Sequence, residues 1–248
     1  AIWVEARKQQ QPLASFQNEI VPTQRNFYHA LAGTRTAFIL ECKKASPSKG
    51  LIAPDFPYVA IAKEYEQAGA AAISVLTERD YFLGSPQYLQ EIAAAVDTPV
   101  LRKDFIIDEY QIYEARALGA SAVLLICAVL DDDRLRTFFQ LADSLGLSAL
   151  VEAHDEDEVH RAIAIGARVI GVNNRNLKDF TVSLDTSCRL RPLVPKDILF
   201  VAESGIKTAD HTKVLRDHGV DAVLIGETFM RSPDKKAMLD ELAGGYRG

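Results

Sequence analysis

Eight short apolar runs alternate with amphipathic stretches of helical spacing from residue 37 to the end of the chain, and this alternation restricts the fold more than any other feature. The runs lie at 37–42, 71–77, 98–103, 121–127, 148–152, 168–173, 198–203 and 221–226. Their nearly continuous apolar character is what parallel strands covered on both faces require. Between them the spacing predicts helices over Tyr58–Gln67, Glu109–Leu118, Asp132–Leu145, Asp155–Ile165 and Thr208–Asp217. Asp155 and Thr208 offer cap side chains, and Gly69 and Gly219 stand just past helix ends. Eight units at intervals of about 20–35 residues fit a (β/α)8 TIM barrel. The expected division is an N-terminal helical arm over 1–36, with a helical piece around Ile2–Gln10, and a barrel over 37–248. A doubly wound sheet is the alternative, but no G-x-G-x-x-G turn accompanies it.

Composition narrows the function classes. Of the 248 residues 48% are hydrophobic and 25% charged, enough apolar material for a large core. No apolar run is long enough to span a membrane, and the N-terminus carries no signal-peptide pattern. The net charge of −6 argues against a nucleic-acid surface, while a cleft that gathers Lys and Arg can still take a small anion. Cys42, Cys127 and Cys188 are widely spaced and odd in number, as in a reduced, cytoplasmic protein without a disulfide framework. His29, His154, His160, His211 and His218 have no metal-ligand spacing and read as surface residues, so no metal is expected.

The strand ends carry the chemistry. In such a barrel the active site lies at the C-terminal ends of the strands. In order, these ends present Glu41 with Lys43, Lys103, Glu152, Asn173 with Arg175, and Glu203 with Ser204. Side chains alternate along a strand, so Glu41 and Lys43 share one face. Two opposite charges ending a buried strand are costly unless paired or used. Any one of these groups can be a surface residue; the opposite strand ends show no comparable set. The alternation turns either Arg102 or Lys103 inward, and both phases remain open. After the last two strands, Glu203-Ser204-Gly205-Ile206 and Ile225-Gly226-Glu227-Thr228 each place a glycine beside a strand end, where barrels often bind phosphate through backbone N–H groups.

These motifs resemble the indole-3-glycerol phosphate synthase family. The resemblance rests on Glu-Cys-Lys-Lys-Ala-Ser-Pro-Ser at 41–48, Ser-Val-Leu-Thr-Glu at 74–78 with Tyr81 and Phe82, and Arg-Lys-Asp-Phe-Ile-Ile-Asp at 102–108. Val-Glu at 151–152, Val-Asn-Asn-Arg-Asn-Leu at 172–177 and Glu-Ser-Gly-Ile at 203–206 complete it. It is similar to the enterobacterial type of synthase domain without the isomerase fused on in some relatives, and its N-terminal helix starts late, so the arm that helps close the site is expected to be shortened.

The resemblance implies conversion of 1-(o-carboxyphenylamino)-1-deoxyribulose 5-phosphate to indole-3-glycerol phosphate, with loss of carbon dioxide and water, in tryptophan biosynthesis and without a cofactor. By matching positions, Lys103 is the acid for ring closure, and Glu152 assists at the departing hydroxyl or stabilises the cationic intermediate. Lys43 meets the substrate carboxylate or phosphate and can act as a second acid, with Glu41 holding its charge or serving as a base. Asn173 and Arg175 orient the substrate. Ser46, Gly205, Gly226, Glu227 and Thr228 hold the phosphate, with Ser204 and Glu203 at the edge of the site. Pro47, Leu76, Phe82, Phe105 and Leu124 line the apolar pocket for the aromatic ring. The expected partner is a small anionic substrate, not nucleic acid or membrane, with contact to other tryptophan-pathway enzymes a further possibility. A Schiff-base aldolase acting on a sugar phosphate is the alternative enzyme, since it too uses a lysine at a strand end. A catalytically silent scaffold is the third reading, and the intact polar rim argues against it.

Overall fold

The computed structural model of the protein describes residues 2–16, 20, 25–33, 35–176 and 179–244. Eight parallel strands form one closed sheet: β1 (Ala37–Cys42), β2 (Ala72–Leu76), β3 (Val100–Lys103), β4 (Ala122–Ile126), β5 (Ser148–Ala153), β6 (Val169–Asn173), β7 (Leu199–Glu203) and β8 (Ala222–Ile225). β1 bonds to β2 on one side and to β8 on the other, which closes the barrel and excludes the open doubly wound sheet.

Alternation along the strands builds two apolar layers. In β1, Phe38, Leu40 and Cys42 face the surrounding helices, whereas Ile39 joins Leu101, Leu124, Leu150 and Val201 inside the barrel. The short helix Phe27–Leu31 adds its fully buried Phe27 and Leu31 to that interior cluster, just ahead of β1 in sequence. The interior is therefore packed, and in such barrels ligands bind at the C-terminal mouth.

The helices begin where their caps require. Asp108, Asp131, Asp155 and Thr208 each accept a hydrogen bond from a backbone N–H in the first turn that follows. Helices Tyr58–Ala68, Glu109–Ala117, Asp132–Ser144, Glu156–Ala164 and Ala209–Asp217 lie within a residue or so of the expected bounds. After β1 the chain forms a small hairpin, Ala45–Ser46 paired with Gly50–Leu51. Gly50 turns it at φ 64°, a left-handed value that favours glycine.

The structure also decides the phase of β3. Lys103 faces the barrel mouth, and Arg102 points outward into a buried charge cluster. Fully buried Arg102 lies 2.9 Å from Glu114 and 3.1 Å from Asp104, and its Nε donates to Thr77 Oγ1. Glu114 also takes Arg7 at 2.7 Å, which docks the N-terminal helix Ile2–Gln10 on the helix after β3. Trp3 of the same helix stacks on Arg79 beyond β2. Glu114→Ala is expected to lose about 3–5 kcal/mol in urea unfolding, because it strips a buried arginine of one carboxylate. A loss below about 1 kcal/mol would show that Asp104 alone suffices.

Candidate active site

The mouth holds a cavity of about 940 Å³ lined from the ends of β1, β2, β3, β6, β7 and β8. Five cationic side chains line it (Lys43, Lys49, Lys103, Arg175 and Lys207) against three carboxylates, Glu41, Glu203 and Glu227, so a chain that is acidic overall presents a basic cleft.

Its floor is a cluster of buried ions. From the end of β1, Lys43 Nζ donates to Glu41 Oε1 at 2.6 Å, and Ser74 Oγ of β2 reaches the other Glu41 oxygen at 3.5 Å. From β3, Lys103 Nζ stands 3.4 Å from Glu203 Oε2 and 3.6 Å from Glu152 Oε2. Burial works against the charge on Lys103, but Glu203, Glu152 and Glu41 together hold it above the ordinary lysine value. Burial likewise opposes ionisation of Glu152, and Lys103 with His154 overcomes this and keeps it well below the usual carboxylate range. Glu203 goes the other way: burial dominates, Lys103 only partly offsets it, and Glu152 and Glu41 add repulsion, which places it well above that range. Neighbouring carboxylates pushed apart in this way supply one proton acceptor and one proton holder at the same pH.

Asn173 uses both ends of its amide within the protein. Nδ2 donates to Glu152 Oε1 at 3.4 Å, while Oδ1 accepts from the Arg175 backbone N–H at 3.1 Å. Arg175 donates onward to the Phe180 carbonyl, and its backbone bridges to Val182. Leu177, the last residue of the 172–177 motif, lies outside the described residues.

The upper wall is made of turns. Glu78 accepts from the backbone N–H groups of Asp80, Tyr81 and Phe82, which fixes the loop that presents the two aromatics. Ser46 and Pro47 enter from the hairpin after β1, and Leu76 and Phe105 complete the apolar side. Opposite them, the turn after β7 holds Ser204 at φ 68° and Gly205 at φ 83°. A non-glycine residue held in the left-handed region costs about 1–3 kcal/mol and gathers at functional sites. Asn174 Nδ2 donates to the Ser204 carbonyl, and Asn174 Oδ1 is fixed by both the backbone N–H and the hydroxyl of Ser187. Thr228 Oγ1 donates to the Ile206 carbonyl, tying the turns after β7 and β8 together. The Glu227 carboxylate turns to Arg231 at 3.1 Å and Lys49 at 4.0 Å.

One expected lining residue lies elsewhere. Leu124 is buried in the barrel interior, because it pairs with Leu150, one inward layer below Glu152. Glu152 itself stands behind Lys103 and does not line the cavity. The remaining expected residues line it: Glu41, Lys43, Ser46, Pro47, Leu76, Phe82, Lys103, Phe105, Asn173, Arg175, Glu203, Ser204, Gly205, Gly226, Glu227 and Thr228. The reading of His154 as a surface residue is corrected: its ring lies between Glu152 at 3.2 Å and Glu158 at 3.0 Å. The signal was present, since His154 is two residues beyond Glu152 and so shares its face. Lys49 and Lys207 were also missed, because loop lysines carry no periodicity.

Gly226 has a steric role. A Cβ there would lie 2.6 Å from Glu41 Oε1 and 2.7 Å from Lys43 Nζ, so glycine keeps room for the ion pair. Gly226→Val is expected to displace the pair and to weaken substrate binding and inhibition by inorganic phosphate together, by about tenfold or more. Unchanged phosphate inhibition in that variant would place the anion elsewhere.

Comparison with known proteins gives a consistent picture. A family model described as indole-3-glycerol phosphate synthase matches residues 1–242. The chain is 61% identical over 218 residues to a protein of that name from Ruminiclostridium cellulolyticum, covering 88% of this chain and 84% of the relative. Against the protein of the same name from Leuconostoc mesenteroides the identity is 51% over 245 residues, covering 96% and 94%. It also matches the tryptophan biosynthesis protein TrpCF of Salmonella typhi at 50% identity, over 96% of this chain and 52% of that longer protein. Among solved structures, 3-hexulose-6-phosphate synthase from Salmonella typhimurium superposes with a TM-score of 0.68 at 15% identity, covering 84% and 97%, a likeness of fold alone.

Proposed function

We infer the reaction from one premise: this chain belongs to the indole-3-glycerol phosphate synthase family. It is a lyase of tryptophan biosynthesis that closes the indole ring of 1-(o-carboxyphenylamino)-1-deoxyribulose 5-phosphate, with loss of carbon dioxide and water. The observation that carries the assignment of roles is the pair of lysines at one rim, each held by carboxylates.

The carboxylated ring carbon must attack the ketose carbonyl, and the oxygen needs a proton as the bond forms. Lys103 supplies it: its ammonium projects into the cavity and is held charged by the carboxylates around it. Attack breaks the aromaticity of the ring and places positive charge on the anilino nitrogen, which draws in the electrons left by departing carbon dioxide. The apolar wall of Leu76, Phe82, Phe105 and Pro47 receives the aromatic ring and desolvates the carboxylate that must leave. The new hydroxyl then departs as water on a second proton, which Lys43 donates, and the adjacent carbon gives up a proton through Lys103, left neutral by the ring closure, to Glu152 behind it. Glu41 keeps Lys43 oriented at 2.6 Å. Arg175 and Ser204 orient the sugar chain from the cavity wall.

The phosphate lies against the turns after β7 and β8. Thr228 Oγ1 already serves the Ile206 carbonyl and the Glu227 carboxylate serves cations, so the backbone N–H groups of Gly205, Gly226, Glu227 and Thr228 face the anion, with Ser46 beside them. A cytoplasmic location and contact with other enzymes of the pathway belong to the same proposal. Among the described residues no helix is long and apolar enough to cross a membrane.

Borohydride trapping with substrate separates this reading from a Schiff-base aldolase. No covalent adduct is expected, and a reduced adduct on Lys103 or Lys43 would overturn the acid role given to that lysine.

A further inference from the structure

The two oxygens of Glu152 have different surroundings. Oε1 forms an ion-pair contact with His154 Nε2 at 3.2 Å, outside hydrogen-bond geometry, and accepts from Asn173 Nδ2 at 3.4 Å. Oε2 faces Lys103 at 3.6 Å and is buried without a hydrogen-bond partner among the described residues. His154 reaches a second carboxylate through its other nitrogen: Nδ1 is 3.0 Å from Glu158 Oε2, and that oxygen also accepts from the His154 backbone N–H at 2.8 Å. A neutral imidazole offers one N–H and one lone pair, so it would turn the lone pair on one carboxylate. Only the doubly protonated ring suits both.

We infer that His154 is a positioning residue: as an imidazolium clamped between Glu152 and Glu158, it tethers Oε1 of Glu152 and leaves Oε2 as the oxygen that exchanges the proton. The inference rests on the role given to Glu152 in the dehydration. Charge balance supports it independently. With Glu203 holding its proton, Glu41, Glu152 and Glu158 remain as carboxylates against Lys43 and Lys103, and His154 is the third positive charge that neutralises the cluster. Burial opposes the charge on His154, yet Glu152 and Glu158 together push its pKa up to about 10. The groups facing this dyad are Lys103 from β3, Glu203 from β7, Glu41 from β1 and Glu158 from the helix after β5, with Cys127 and Arg161 beyond Glu158.

Removal of the imidazolium takes a cation from Glu152, so the carboxylate becomes a stronger base and protonates at higher pH. His154→Gln keeps a donor near Oε1 without the charge. It is expected to lower kcat about tenfold or more, to leave KM within about twofold, and to move the acidic limb of the kcat–pH profile upward by about one pH unit. Glu158→Gln, which lies off the cavity, should move both in the same direction by less. A residue of purely structural value would change the yield of folded protein and leave that limb in place. Glu152→Gln separates the two levels. If it is nearly inactive while His154→Gln keeps the wild-type rate and profile, the His154 inference alone falls. If Glu152→Gln retains wild-type turnover, the assignment of Glu152 falls and the inference with it. Should His154→Gln not fold, an unmoved acidic limb in Glu158→Gln overturns the inference.

Discussion

Lys103→Ala is expected to lose about 10²–10⁴-fold in turnover while remaining folded. The size follows from position. Lys103 is the cation that meets both Glu152 and Glu203 on the barrel floor, and its ammonium lines the cavity. Without it the ketose oxygen receives no proton as the ring closes, and the basic end of the cleft loses its central charge. The fold should survive because the uncovered negative charge has an outlet: burial already pushes the Glu203 carboxyl well above the usual carboxylate range, so proton uptake there is easy. Circular dichroism and indole fluorescence on one preparation decide it. More than about a tenth of wild-type activity in a folded Lys103→Ala protein would remove Lys103 as the principal acid.

The double replacement Glu41→Leu with Lys43→Met should separate stability from function. The pair is nearly buried, with side-chain exposures of 5% and 17%, and its desolvation cost consumes much of the attraction at 2.6 Å. Hydrocarbon of similar volume beside Gly226 and Ser74 is therefore expected to keep or raise the melting temperature. Activity should fall by about 100-fold or more, because the second acid and the cation facing the substrate anions disappear together. A drop in melting temperature with turnover intact would make the pair a structural device. Glu41→Gln is the finer probe: it keeps the shape, removes a carboxylate that also supports the charge on Lys103, and should lower turnover without unfolding the protein.

The barrel was legible because its signals repeat. Each strand is a nearly continuous apolar run, and most boundaries carry a cap or a glycine, so an error in one unit leaves the other seven in place. Most of the rim was legible for the same reason, since strand ends fall at fixed places in a regular repeat. What was not legible needed phase, depth or partners. A period of two leaves open whether Arg102 or Lys103 points inward; the buried Arg102–Glu114–Arg7 contacts settle that, and they join segments 107 residues apart. Leu124 was assigned to the pocket, but the register of β4 with β5 puts it one layer too deep. His154 was passed over by a search for metal spacing, although its two-residue offset from Glu152 held the clue. Lys49 and Lys207 sit in loops, where no periodicity tells a cavity wall from open solvent.

The central claim is that this rim closes an indole ring by acid–base chemistry, and its most direct measurement is the appearance of indole fluorescence when purified protein meets 1-(o-carboxyphenylamino)-1-deoxyribulose 5-phosphate. The expected result is continuous growth of the indole signal, with one carbon dioxide released per indole formed and loss of both in Lys103→Ala. Consumption of the substrate without an indole signal, or an indole signal that survives in Lys103→Ala, would contradict it.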